Sequence, residues 1–154
     1  MKNVKSLFFV VVLLISVSCT LSAKTGDKQT EKATGEVIVL NKADFIAKVF
    51  NFEKNADSWK YEGDKPCIID FYADWCAPCK KIAPVLTELA AAYKDDIIIY
   101  KVNVDNEKEL AALFGIQSIP SLLFVPVSGQ PMMAQGAMPK EKFIEQIDSF
   151  LLNK

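Results

Sequence analysis

Hydrophobic residues in this chain come in two spacings, short unbroken runs and stretches with helical period. Val37-Ile38-Val39-Leu40, Cys67-Ile68-Ile69-Asp70-Phe71-Tyr72, Ile97-Ile98-Ile99-Tyr100-Lys101-Val102-Asn103 and Ser121-Leu122-Leu123-Phe124-Val125 have strand length and are rich in β-branched or aromatic residues. The first of these reads as a short buried strand. A shorter strand from Met132 to Gln135 follows the turn at Ser128-Gly129. Asn41 is placed to cap a helix running through Asp44-Phe45-Ile46-Ala47-Lys48-Val49. A longer helix opens near Cys76 and runs to about Tyr93. Asp105-Asn106-Glu107 start another that reaches about Phe114 and stops at Gly115. Pro139, in the first turn, opens the last helix, with Phe143, Ile144, Ile147, Phe150 and Leu151 at helical spacing. Residues 51–65, polar and aromatic, read as loop with some short helix. Strands alternating with helices, then a hairpin and a helix, predict an α/β fold with a central mixed sheet flanked by helices on both faces. The near-continuous apolar strands suit such a covered sheet.

The first 35 residues follow neither spacing. Lys2 and Lys5 precede an apolar run from Leu7 to Ile15, and small residues come after it, which reads as a secretory signal over residues 1–23. The run is well short of the ~20 residues a spanning helix needs, although a short membrane anchor is the rival reading. Cleavage after Ala23 competes with lipidation of Cys19, where Ser16 stands at a position that lipoprotein signals usually give to an aliphatic residue. Residues 24–35 have almost nothing to bury and read as a disordered tether. The folded unit is expected over residues 36–154.

Composition narrows the chemistry. A chain of 154 residues that is 51% hydrophobic and 24% charged suits one globular domain. A net charge of -1 gives no electrostatic reason to expect nucleic acid as a partner. There is no histidine, which removes Cys–His pairs and imidazole relays. Proton handling is left to carboxylates, lysines or water.

Trp75-Cys76-Ala77-Pro78-Cys79 sits between a strand and a helix. Cysteines three apart at a helix start share a face and lie within reach of one disulfide. Unpaired N–H groups and the helix dipole favour negative charge at the first of them, which lowers its thiol pKa. The pattern points to thiol–disulfide exchange. Half a zinc site is the alternative for any CxxC pair, but zinc wants four ligands and only Cys67 remains in the mature domain. No metal is expected.

The run Asp70-Phe71-Tyr72-Ala73-Asp74-Trp75-Cys76-Ala77-Pro78-Cys79-Lys80 resembles the active-site segment of the thioredoxin family, with Ala77 where most members carry Gly. Ile82-Ala83-Pro84-Val85-Leu86 continues it with the family's helix-kinking proline. Lys101-Val102-Asn103-Val104-Asp105 is similar to the end of the family's central strand. Gly115-Ile116-Gln117-Ser118-Ile119-Pro120-Ser121 resembles its cis-proline loop, and Gly136-Ala137 the loop completing the substrate groove. The segment from Val49 to Pro66 looks longer than in small cytosolic members. With its signal, the chain is similar to periplasmic thioredoxins of Gram-negative bacteria.

The resemblance implies roles. Cys76 attacks a substrate disulfide, and Cys79 resolves the mixed disulfide and closes the Cys76–Cys79 disulfide, so no cofactor is needed. Asp70 shares a strand face with Ile68 and Tyr72, and as a buried carboxylate it would take the proton from Cys79, with Lys101 tuning it. A structural Asp capping a nearby N–H and an exposed strand lysine are the plainer readings of these two. Ile119 and Pro120 would form a cis peptide whose backbone meets an extended substrate, against the plainer reading of Pro120 as a trans turn proline. Trp75, Ile119, Gly136 and Ala137 would form the apolar rim. Cys67 reads as a small buried hydrophobe and Met132, Met133 and Met138 as packing.

The implied function is an exported protein-disulfide reductase. Its substrates would be disulfide-bonded exported proteins, its recharging a membrane thiol electron donor, its setting the periplasm and its state a monomer. The alternatives are a disulfide oxidase or isomerase, and a non-catalytic binding or chaperone module on the same fold. Ala77-Pro78 lacks the His that strong oxidants of the superfamily carry there, which favours the reductant.

Overall fold

Alternation along one strand sorts its side chains between two cores and so dictates the layers. In Cys67–Tyr72, residues Cys67, Ile69 and Phe71 point into one buried cluster, whereas Ile68 points into another. That strand, β2, lies at the middle of a five-stranded sheet. The computed structural model describes residues 35–154. The expected signal over residues 1–23 and the tether up to residue 34 lie outside the described residues.

Strands β1 (Val37–Val39), β2, β3 (Ile98–Asn103), β4 (Ser121–Val125) and β5 (Met132–Gln135) run in the order β1-β3-β2-β4-β5. The pairs β1–β3 and β2–β3 are parallel, and β2–β4 and β4–β5 antiparallel. Helices α1 (Lys42–Lys48) and α3 (Lys108–Leu113) contribute Phe45 and Leu110 to one face of this mixed sheet. Helices α2 (Ala77–Ala92) and α4 (Lys140–Gln146) contribute Ile82, Leu86, Leu89 and Phe143 to the other. β2, β3 and β4 have paired neighbours on both sides and helices on both faces, so they are buried almost without interruption.

Four local expectations change. β1 ends at Val39, which is 58% exposed, because an edge strand has one neighbour; Leu40 beyond it is the buried residue. Residues 51–65 form turns without a helix, held by the Phe50–Tyr61 bridge and by Trp59, whose ring lies 4.5 Å from that of Phe50. Helix α3 begins at Lys108 rather than Asp105. The Asn106 and Glu107 N–H groups turn back to the Asn103 carbonyl, and the Glu107 carboxylate accepts from the Lys42 N–H instead of capping its own helix. Pro139 stands one residue before α4 in extended backbone, outside the first turn.

The other signals act as read. Asn41 Oδ1 accepts the Asp44 N–H at 2.8 Å. Gly115 follows α3 with φ +59°, where other residues are strained. Past Gln146 the backbone widens into a π-helical turn, Ile147–Leu151, and Phe143, Ile147 and Leu151 are buried as their spacing demands. Met132 and Met138 pack on the α2–α4 core and Met133 on the other. Among the described residues no helix is long and apolar enough to cross a membrane.

Candidate active site

The sheet topology brings the carboxyl ends of β2 and β3 beside the start of β4. Phe71 pairs with Ser121, Tyr72 pairs with Asn103, and Ser121 also pairs with Gln135 at the end of β5. Chain segments far apart in sequence therefore meet where β2 gives way to α2.

Cys76 is the N-cap of α2, in extended backbone, with Ala77 and Pro78 following it into the helix. Cys76 and Cys79 form a disulfide with Cα atoms 5.3 Å apart. The Cys79 N–H donates to Cys76 Sγ at 3.2 Å. One of the unsatisfied donors of the helix start is thus aimed at the sulfur, ready to hold a thiolate when the disulfide opens. Both cysteines are buried with Ala73, and Tyr72, Val104 and Ile119 pack against them. Ala77 and Pro78 are exposed between the pair.

Asp70 is 4% exposed, and its Oδ1 has no hydrogen-bond partner among the described residues. It caps nothing. With that oxygen buried and given no donor, burial pushes the carboxyl up to about 7, against the pull of Lys101. Asp70 and Lys101 are register partners across β2 and β3. Both line a cavity of about 140 Å³ with Tyr72, Ala73, Asp74, Cys79, Lys80 and Ala83. The space is large enough for water and reaches from Asp70 to Cys79. Lys101 is half-buried here, unlike an exposed strand lysine.

The Ile119–Pro120 peptide is cis. Ile119 reaches the cysteine cluster, and the Pro120 carbonyl accepts the Gly136 N–H at 2.8 Å. Gly136 has φ +85°, which favours glycine, and Ala137 follows it exposed. Trp75 is 69% exposed beside Cys76. Cys67 is fully buried at the far end of β2, its thiol pushed up to about 12 by burial, so it is no competitor to Cys76.

Sequence reasoning missed what holds Trp75. Its Nε1–H donates to Asp105 Oδ2 at 2.9 Å, the Asp105 N–H donates to Asn103 Oδ1, and Asn103 Nδ2 donates to Asp74 Oδ2. Asp105 closes the Lys101–Asp105 run read only as a strand ending, and a bond across 30 positions leaves no spacing signal. Asp105→Ala should raise the KM for protein substrates roughly five-fold, about 1 kcal/mol, the net size of one solvent-exposed hydrogen bond. The unfolding midpoint should stay nearly constant, and an unchanged KM would show that packing alone holds the ring.

The sequence profile of the thioredoxin family matches residues 36–149, nearly the whole of the described domain. The chain belongs to the thioredoxin family. A thioredoxin of Borreliella burgdorferi is 42% identical over 113 residues, covering 73% of this chain and 96% of that protein. A thioredoxin of Haemophilus influenzae is 40% identical over 117 residues, covering 75% and 98%. Among solved structures, chloroplastic thioredoxin z superposes with a TM-score of 0.59 at 21% identity, over 73% of this chain and 91% of that one, which bears on the fold. Thioredoxins are thiol–disulfide oxidoreductases that use a redox-active disulfide and need no external cofactor, and Cys76–Cys79 is that pair here.

Proposed function

We propose that this thioredoxin works outside the cytoplasm as a reductant of protein disulfides. Residues 1–23 would direct export and residues 24–35 tether the domain. Disulfide-bonded exported proteins would be its substrates, and a membrane thiol electron donor would recharge it. The observation that carries the direction is the site's composition. No ionisable side chain lies between Cys76 and Cys79, and the thiolate has the Cys79 N–H as its near support. Strong stabilisation of the reduced pair is what makes an oxidant, and little is built in here.

The chemistry runs in two exchanges. The Cys76 thiolate attacks one sulfur of the substrate disulfide, forming a Cys76–substrate disulfide and releasing the other substrate sulfur as a thiolate. Cys79 then gives its proton to the Asp70 carboxylate while its sulfur attacks Cys76 Sγ. The Cys76–Cys79 disulfide closes, and the second substrate sulfur leaves reduced. Two electrons pass from protein to substrate.

Equilibration with glutathione buffers tests the direction. The expected potential is near ~ -270 mV, and a value toward ~ -120 mV would make the protein an oxidant. The N-terminus of the mature chain, read by mass spectrometry, tests export. A start at Lys24 is expected, a lipid on Cys19 would replace the free tether by an anchor, and an intact Met1 would end the exported reading.

A further inference from the structure

The resolving step needs Asp70 as a carboxylate, yet Asp70 is buried without a donor on Oδ1. Lys101 is the cation that offsets this burial, so the position of its flexible ammonium matters. Four methylenes could carry that charge away to water. Its located partner is a ring: Lys101 Nζ lies 5.3 Å from the centroid of Tyr72, within the reach of a cation–π contact. Among the described residues no ion pair competes for it.

The strand geometry makes this arrangement natural. Tyr72 lies two residues beyond Asp70, so both side chains stand on the same face of β2. Lys101 is opposite Asp70 in register on β3. All three line the cavity that Cys79 also reaches. The other charges facing that space are Asp74, from the loop after β2, and Lys80 from α2. Asp74 is held by Asn103 Nδ2, and both it and Lys80 are exposed, where water screens them.

We propose that Tyr72 is a positioning residue for the resolving step: its ring face holds the Lys101 ammonium beside Asp70, and so keeps Asp70 a carboxylate able to accept the Cys79 proton. The proposal rests on reading Asp70 as that proton acceptor. Tyr72 touches no reacting atom in this role. It acts through Lys101, and an aliphatic residue of similar bulk cannot replace it.

Stopped-flow reduction of an aromatic disulfide that releases thionitrobenzoate, followed across pH, isolates the step, because its second phase is the attack by Cys79. In the full chain that phase should rise with pH through the ionisation of Asp70. Tyr72→Leu should move the rise upward by about half a pH unit. Tyr72→Phe keeps the ring and should restore the original profile. Lys101→Met should give a shift at least as large, and adding Tyr72→Leu to it should move nothing further. A Tyr72→Leu profile identical to wild type, or a shift that adds fully to that of Lys101→Met, would overturn the proposal. The unmutated protein supplies a test that needs no variant: the Lys101 Hε protons should be displaced upfield by the ring current, and random-coil shifts would refute the contact. The underlying reading fails separately, if Asp70→Asn leaves the pH profile of the second phase unaltered.

Discussion

Exchanging Cys79 for serine turns the protein from a catalyst into a trap. Cys76 keeps the helix start and the backbone N–H of residue 79, so the first exchange still runs. The second cannot, because a serine hydroxyl does not displace a thiolate from sulfur at neutral pH. Substrate should accumulate on the protein as a stable Cys76 mixed disulfide, one per chain, visible as a mass increment and removed by excess thiol. Exchanging Cys76 instead should abolish insulin reduction by on the order of 10³-fold or more, the scale of losing an essential nucleophile. No adduct should form in that variant. Cys67 cannot stand in, since it is fully buried and its thiol is held near 12. An adduct mapped to Cys67, or steady turnover in Cys79→Ser, would sink the two-cysteine mechanism.

The residues that carry this chemistry could be read from the sequence because they are local. Cys76, Pro78 and Cys79 occupy one helical turn, and a run of six residues before them declares the strand that aims the turn. The central strands were readable for a related reason. Burial on both faces leaves an apolar signature that no local competition obscures, as at Ile98-Ile99-Tyr100. Where the chain is covered on one side the signature fails, and Val39 looks apolar yet faces water. Capping residues misled when a tertiary partner claimed them. Asp105 and Glu107 resemble a helix start, but the first holds Trp75 and the second accepts from Lys42, so α3 begins later. The cluster of Phe50, Trp59 and Phe114 is likewise set by packing between distant segments. The approach of Lys101 to Asp70 follows from a parallel register that no pattern in either strand specifies by itself.

Replacing Asp70 with asparagine should slow the enzyme and stabilise the fold together. The native carboxyl ionises near 7, raised by burial from its ordinary 3.8, which the unfolded chain retains. Between these values the native state holds a proton that the unfolded state has already lost. Stability must therefore fall as pH rises through that window and stay lower above it. The difference of roughly three pH units corresponds to about 4 kcal/mol of destabilisation at alkaline pH, an upper figure because water in the cavity relieves part of it. Asp70→Asn removes the ionisation with little change of shape. Its advantage over wild type in denaturant unfolding should be on the order of 2–4 kcal/mol at pH 8 and vanish below pH ~4. On the proposed mechanism the same substitution takes the proton acceptor from Cys79, so the resolving exchange should lose its rise near pH 7 and run several-fold slower there. A variant that is both more stable and less active above neutrality is the mark of a charge buried for chemistry. Stability curves that stay parallel from pH 4 to 8 would show that Asp70 ionises in the fold as it does in water, and would remove it from the mechanism.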